Sequence, residues 1–230
     1  MKAIALAICT GMAISLLGLQ HPCRAQASDA LRLGIRGGVV LGINASQVDG
    51  DDYAGYTKVG LNAGFYGQIP ISPRFFVSTE ILYSQQGAKS RVRQGLPLEF
   101  LTRYDYAVVP VLLHFQEKEA INFGAGFAFA RLINQQRFAN QIEQPDASIC
   151  SSRPDIGIIQ PEYICLKRQN FMVTAEGNYL VTPQFQLNVR FAYSIVPMGY
   201  YGSSNFVNRG MYHNLLSFRV RYVFGGKPKT

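Results

Sequence analysis

Two glutamates and three arginines are the residues of this sequence whose types and spacing point most directly to ionic chemistry. They occupy polar positions in segments that alternate between apolar and polar residues, and they are Glu80, Glu176, Arg190, Arg219 and Arg221. Because leaving one such charge unpaired in a dry interior costs several kcal/mol, we expect the five side chains, if they point inward, to form an interior ion-pair network. A gated polar path for small solutes is the alternative.

Nucleophilic catalysis would need a serine beside a histidine base that is itself oriented by a carboxylate. The sequence offers His114 and His213 after its first 27 residues, with Ser84, Ser203 and Ser204 as the hydroxyls expected near His213. No nucleophile motif surrounds them, so we expect no enzymatic activity. Both histidines should lie at strand ends, which in a membrane barrel are the rim or the membrane interface. An outer-leaflet lipid-modifying enzyme that uses His213 is the alternative.

A small acidic cluster, Asp49, Asp51 and Asp52, lies in the first long connection. It lacks the twelve-residue spacing and the terminal glutamate of an EF-hand loop. We expect a solvated loop tip, with weak binding of a divalent cation as the alternative, and we expect no cofactor.

The N-terminus has the pattern of a secretory signal peptide. Lys2 gives the positive start, an apolar run follows, and Ala25 and Ala27 supply small residues for cleavage after Ala27. The sequence therefore predicts a signal peptide over residues 1–27 and one domain over residues 28–230. A lipoprotein signal that uses Cys23 is the alternative, although the residues before Cys23 are not the small ones expected there.

Two further cysteines, Cys150 and Cys165, lie in the longest connection. An exported chain meets an oxidising compartment, so a disulfide that staples this loop is the prediction. Closing a loop of about 15 residues stabilises by about 3 kcal/mol in the loop-entropy model. A metal site would need more ligands than two thiols.

Eight strand-like segments must position these residues. They cover roughly 31–43, 58–69, 74–85, 104–115, 120–131, 169–181, 185–195 and 212–224. Long connections over 44–57, 86–103, 132–168 and 196–211 alternate with tight turns at 70–73, 116–119 and 182–184. This alternation predicts an all-β fold, an eight-stranded antiparallel transmembrane β-barrel with short periplasmic turns and long extracellular loops.

The two faces of each predicted strand differ in polarity, because residues two apart share a face. The segment from Phe185 to Ser194 has Phe185, Leu187 and Val189 on one face and Gln186, Asn188 and Arg190 on the other. A soluble lipocalin-like carrier would turn the apolar face inward, whereas a membrane barrel turns it outward. Small residues on the polar face suit a narrow eight-strand interior and favour the membrane barrel.

Pro110 interrupts the fourth segment, which is apolar on both faces. Proline removes a ladder donor and is usually confined to edges or bulges. A closed barrel has no edge, so we predict a bulge near Pro110.

The composition fits this interpretation. Charged residues make up 16% of the chain, against about 25% in soluble domains. The formal net charge is +8, but Lys and Arg are scattered and form no nucleic-acid motif. We therefore expect no nucleic-acid partner and basic rim residues that meet anionic lipid headgroups.

Four stretches in the first half resemble the PorT-like outer-membrane β-barrel family of Bacteroidetes-type bacteria. They are Gly34–Gly42, Lys58–Gly67, Phe76–Ser90 and Tyr104–Phe115. The resemblance implies an eight-stranded barrel in the cell outer membrane with both termini in the periplasm. It points only weakly to a protein-secretion system, in which the eponymous member takes part.

The leading functional hypothesis is a structural or surface-interaction barrel whose lumen is plugged by polar side chains. Loops 86–103 and 132–168 would form its recognition surface, because loops on a rigid scaffold commonly carry binding. Outer-membrane lipids, lipopolysaccharide and a protein are the expected partners. The basic residues of the longer loop that favour an anionic partner are Arg131, Arg137, Arg153, Lys167 and Arg168. A narrow channel or transporter and a component of a secretion system are the alternatives.

Overall fold

The strands were located in a computed structural model that describes residues 34–50, 55–90, 100–150, 163–203 and 206–224. The chain divides into two units, 1–35 and 36–230, and all the strands lie in the second. They are β1 (Arg36–Asp49), β2 (Lys58–Pro70), β3 (Phe75–Lys89), β4 (Phe100–Lys118), β5 (Ile121–Ala139), β6 (Ile142–Gln144), β7 (Ser148–Ile149), β8 (Tyr163–Leu166), β9 (Gln169–Leu180), β10 (Phe185–Ser194), β11 (Gly199–Ser203) and β12 (Phe206–Phe224). Within these described ranges no helix is long and apolar enough to cross a membrane.

Eight of the strands close into an antiparallel ring in the order β1-β2-β3-β4-β5-β9-β10-β12. The ring is closed by thirteen paired positions between β1 and β12, from Gly37 with Phe224 to Asp49 with Tyr212. The predicted eight-stranded barrel is therefore confirmed. Turns at 71–74, 119–120 and 181–184 join strands at one end, where the prediction put the short periplasmic connections.

On the ring strands whose two faces differ in polarity, the polar face points into the lumen and the apolar face points outward. On β10, Gln186, Asn188 and Arg190 are buried, whereas Leu187 and Val189 are 48% and 45% exposed. A soluble protein rarely leaves so continuous a belt of large apolar side chains in contact with its solvent. The belt matches the lipid-facing surface of a membrane barrel. A lipocalin has the opposite arrangement, with its apolar face inside.

The predicted bulge near Pro110 is wrong. Pro110 pairs with Ala128 of β5 in an unbroken register, and the β3–β4 pairs on either side of it, Thr79 with Val111 and Leu82 with Val108, share one register. The missing N–H therefore leaves a gap in the ladder without inserting a residue. The irregularities of β4 lie instead between Asp105 and Tyr106 and between Gln116 and Lys118.

The strands extend further into the predicted extracellular loops than the sequence indicated. β4 and β5 remain paired out to Phe100 and Ala139, well past the expected ends at 104 and 131. A second sheet, made of β7, β8, β11 and the first part of β12, also forms within these connections. The outer end of the barrel therefore contains paired strands.

Candidate functional site

The five charged residues singled out in the sequence lie together in the lumen, and all are at least 95% buried. Glu80 on β3 is contacted by Arg190 and Arg219, with N–O distances of 2.9 Å each, and by Arg221. Glu176 on β9 is contacted by the same three guanidinium groups at 2.6, 3.0 and 2.7 Å. Three cations thus share two carboxylates, and each links strands on different sides of the ring. We refer to these five residues as the ionic layer.

Carboxamides bind several of the polar atoms of the ionic layer. Asn188 Oδ1 accepts from Arg219 Nε at 2.6 Å, and Asn178 Oδ1 accepts from Arg221 Nη1 at 2.8 Å. Asn178 Nδ2 donates to Glu176 and to Asn122. A buried ion pair is tolerated only when additional hydrogen bonds satisfy its members, and Asn178 on β9 and Asn188 on β10 supply such bonds from adjoining inward positions.

A neutral hydrogen-bonded layer lies beside the ionic layer, further toward the long connections. Asn44 Nδ2 donates to Ser84 Oγ at 2.9 Å, and Asn44 Oδ1 accepts from Asn62 and Ser217. A cavity of about 20 Å³ opens here, which is room for about one water molecule. The Thr174 hydroxyl lines it and has no hydrogen-bond partner among the described residues.

An apolar layer, which none of the sequence-based predictions included, fills the outer end of the lumen. Its members are buried side chains from ring strands and from the outer connections, and they include Ala88, Tyr104, Tyr106, Leu132, Ala147, Leu166, Met198, Met211 and Leu215. The one sequence feature that indicated this layer is the fourth segment. It is apolar on both faces, so it requires apolar surroundings in the lumen as well as in the membrane. Leu166 and Met198 come from outside the ring, and no strand periodicity marks them.

His213 is fully buried within the apolar layer, so the predicted rim position is wrong. Its ring lies edge-on to those of Tyr104 and Tyr106, and Nε2 is 3.3 Å from the Tyr106 hydroxyl. β12 extends beyond residue 212 to Phe206, which places His213 inside the barrel. Ser84 is bonded to Asn44 instead, while Ser204 and the side chain of Ser203 lie outside the described residues.

His114 is also buried in the lumen, again contrary to the rim prediction. Its Nε2 shares a hydrogen bond with Ser78 Oγ at 2.7 Å and lies 3.7 Å from Glu176 Oε1. A catalytic triad needs the serine on one ring nitrogen and the carboxylate on the other. Here both approach Nε2, and Nδ1 has no partner in the described part of the chain, so the trio lacks the geometry of a proton relay.

A disulfide joins Cys150 and Cys165, as the spacing predicted, with a Cα–Cα distance of 5.8 Å. Cys165 lies on β8, which pairs with β7 on one side and β11 on the other. Next to it, Lys167 Nζ stands 5.1 Å from the centre of the Tyr200 ring. The bond therefore fastens the outer sheet above the apolar layer.

The outer rim carries arginines of two kinds. Arg103 is paired, because Nε lies 2.9 Å from Asp105 Oδ1, and it also donates to Tyr83. Arg131 and Arg168 have no ion pair among the described residues, and both line a pocket of about 310 Å³. We call this cavity the rim pocket; its other lining residues are Leu132, Ile133, Asn134, Gln135, Asp146 and Ile149.

The acidic cluster of the first long connection is only partly described, since Asp51 and Asp52 lie outside the described residues. Asp49 accepts hydrogen bonds from Gln47 at 2.8 Å and from Asn214. Tyr56 donates its hydroxyl proton to Asn214, and partial burial, together with the Asp49 charge, raises the pKa of Tyr56. In the described part of the chain, no group of three or more His, Cys, Asp or Glu side chains is placed to hold a metal ion.

The ring, its lipid-facing belt and its filled lumen define an outer-membrane β-barrel protein. Residues 24–200 match the model of the outer membrane protein beta-barrel domain family, and the chain belongs to that family. The match ends before β12, which completes the ring and supplies two of the five ionic residues. No curated protein matches the sequence.

Solved structures of small outer-membrane barrels are similar in fold. Ail of Yersinia pestis is 10% identical, with a TM-score of 0.46 over 82% of this chain and 98% of that one. Neisserial surface protein A is 10% identical (TM-score 0.40; 82% and 96% covered), and OprG of Pseudomonas aeruginosa is 12% identical (TM-score 0.40; 84% and 95% covered). These similarities concern the fold alone.

Proposed function

We propose that this protein is a closed outer-membrane barrel that acts through its outer surface and does not conduct solutes. The observation that carries the proposal is the contact of Arg190, Arg219 and Arg221 with both Glu80 and Glu176. Because these residues project from β3, β9, β10 and β12, their side chains occupy the lumen from opposite sides. An eight-stranded barrel is only wide enough to be filled by side chains.

The apolar layer adds a second barrier above the ionic layer. Tyr106, Leu166 and Met198 have no measurable exposure, so a hydrated ion entering from outside meets a dry apolar constriction first. An ion that passed it would then meet fixed guanidinium and carboxylate groups already paired with one another. A solute path would require both layers to rearrange, which argues against the narrow channel.

Single-channel recording in planar bilayers tests this proposal. The mature protein should give no steady conductance above that of the lipid, while a general porin reconstituted in the same way gives clear steps. A reproducible open level that disappears when the protein is left out would refute the closed barrel and favour a transporter.

The proposed recognition surface combines loop 132–168 with loop 86–103. The outer sheet, the Cys150–Cys165 disulfide and the Lys167–Tyr200 contact support this proposal, because they give part of the longer loop a fixed shape. Pre-organised loops bind with less loss of conformational entropy than mobile ones. We propose outer-membrane lipids, including lipopolysaccharide, and a protein as partners of this surface.

Two finer proposals rest on the sequence, and a third rests on the geometry around His114. The motifs of the first half support membership of the PorT-like group, and a role in protein secretion would follow from that membership. Residues 1–27 support export through a cleaved signal peptide. We infer no catalytic role, since the Ser78–His114–Glu176 geometry lacks the arrangement of a proton relay.

The secretion role is tested by deleting the gene and comparing the proteins released into the medium. The secretion role fails if the deletion strain and the wild type release the same proteins.

A further inference from the structure

The rim pocket lies where the lipid-facing belt ends. Phe129 on β5 and Phe171 on β9 face each other with ring centres 5.3 Å apart. The next outward pair toward the long connections is Arg131 with Gln169, and Leu132 N then donates to Arg168 O at 2.8 Å. Aromatic rings at the end of an apolar belt mark the membrane–water interface, so Arg131 and Arg168 lie at the depth of the headgroups.

The two arginines of the rim pocket differ from their neighbour on the rim. Arg103 has its own counterion in Asp105, and Asp105 also accepts from Asn134 at 3.3 Å. Neither Arg131 nor Arg168 has an ion pair among the described residues. Two guanidinium groups without counterions beside one cavity attract an anion, and the planar fork of arginine matches phosphate oxygens.

Gln135 and Asp146 add hydrogen-bond acceptors to the pocket. Gln135 donates to the Ala147 carbonyl at 2.8 Å, which leaves its buried side-chain oxygen without a partner in the described residues. Asp146 also lines the cavity and forms no ion pair within the described part of the chain. A ligand that fits this set carries a phosphate for the arginines and an N–H or O–H donor for Gln135 and Asp146.

The apolar part of the pocket points to a lipid as the source of that phosphate. Ile133 and Ile149 line it and are 61% and 45% exposed. Ile133 faces outward on β5, in line with Phe129 and the lipid-facing belt. An acyl chain lying on this belt would bring its headgroup to the two arginines without entering the lumen.

We propose that the rim pocket binds the headgroup of a membrane phospholipid, with Arg131 and Arg168 holding its phosphate and Gln135 and Asp146 accepting hydrogen bonds from its amine or hydroxyl groups. This deepens the proposed function, on which it rests, by naming the class of lipid partner and the residues that select it. The pocket volume of about 310 Å³ is at the lower end of the range for ligand sites, which suits a headgroup.

Retention of short-chain lipids by the detergent-folded, full mature protein tests the proposal. Native mass spectrometry would measure binding of short-chain phosphatidylethanolamine, with phosphatidylcholine of the same chain length as the matched lipid, because its quaternary ammonium has no N–H donor. We expect one retained phosphatidylethanolamine per barrel and at least tenfold weaker retention of phosphatidylcholine. Equal retention of the two lipids would overturn the roles of Gln135 and Asp146.

Charge-removing variants test the arginines separately. Arg131→Gln and Arg168→Gln should each weaken phosphatidylethanolamine binding at least tenfold, and Asp146→Asn should weaken it several-fold. Arg103→Gln, which removes a paired charge from the same rim, should leave binding unchanged. Binding that falls equally in Arg103→Gln and Arg131→Gln would reduce the effect to general rim charge and overturn the site.

Further outcomes distinguish lipid binding at the rim pocket from binding of a soluble ligand and from the closed-barrel proposal. Free phosphoethanolamine that bound as tightly as the lipid would assign the pocket to a soluble ligand and overturn the lipid. If Arg131→Gln and Arg168→Gln retained lipid as well as the wild type and the protein still conducted nothing, the rim site would be refuted. The closed barrel would remain supported. If the protein bound the lipid specifically but conducted ions, the closed barrel would be refuted and the rim site would remain supported.

Discussion

The Arg219 guanidinium on β12 and the Glu80 carboxylate on β3 meet across the lumen, with Nη1 2.9 Å from Oε2. Between these two strands the barrel wall contains β1 and β2, so the contact spans the interior. Arg219 also contacts Glu176 at 3.0 Å. One cation therefore links three strands, and the interior is fastened by side chains as well as by the backbone ladder.

Replacing Glu80 with glutamine should destabilise the barrel by about 3–5 kcal/mol, since it leaves three buried guanidinium groups to one carboxylate. The measurement is the urea midpoint of the folded band on an unheated gel. Glu143→Gln on the exposed strand β6 is the matched control and should leave the midpoint unchanged. The double variant Glu80→Gln with Arg219→Met should lose less stability than the sum of the two single changes; strict additivity would contradict the network.

Gly124→Ala and Gly177→Ala test the packing of the lumen against that of the outer face. A Cβ at Gly124 would lie 2.5 Å from the ring of His114, which is held by stacking on Phe76 and by its bond to Ser78. We expect a loss of about 1–3 kcal/mol. A Cβ at Gly177 has nothing nearer than 3.7 Å, so that variant should match or slightly exceed the wild type. The reverse order in a urea titration would mean that the faces are inverted.

Removing the disulfide should loosen the outer end and spare the ring. In the paired change Cys150→Ser and Cys165→Ser, the lost loop constraint of about 3 kcal/mol should raise the rate of protease cleavage between the two positions about a hundredfold. Mass spectrometry of the fragments measures the site and the rate, and wild-type protein with reductant should behave alike. Cleavage within the ring strands at the same rate would show that the disulfide supports the whole barrel.

The mature chain should begin at Ser28, because the small residues Ala25 and Ala27 suit signal peptidase. The intact mass of protein extracted from the outer membrane measures this. Cys23→Ser should leave that mass and the location unchanged. A mass that places a lipid on Cys23 would instead establish the lipoprotein signal.

Much of the ring could be predicted because each membrane-spanning strand faces two different environments. The alternation of Phe185, Leu187 and Val189 with Gln186, Asn188 and Arg190 follows from lipid on one side and a packed polar lumen on the other. Beyond the membrane this contrast disappears. The extensions of β4, β5 and β12 therefore show no such pattern, and the sequence predicts strands that are shorter than the observed ones.

The rest depended on contacts between distant residues. The prediction of a rim position for His213 depends on a last strand that begins at residue 212, whereas its neighbours, Tyr104 and Tyr106, lie on a different strand. Pro110 was interpreted as a bulge because a lost donor and an inserted residue look alike in sequence. The rim pocket forms where β5 and β9 diverge, a geometry to which no local pattern corresponds.

The division of the ionic layer between the two halves of the chain has a consequence for biogenesis. Glu80 lies in the first half, whereas the three arginines that contact it lie on β10 and β12, up to 141 residues away. A nascent barrel that entered the bilayer after its first five strands would carry an uncompensated carboxylate into hydrocarbon. We therefore expect insertion to follow the arrival of the arginines on β10 and β12, and a chain truncated before β10 should stall at the periplasmic surface, where proteases can remove it.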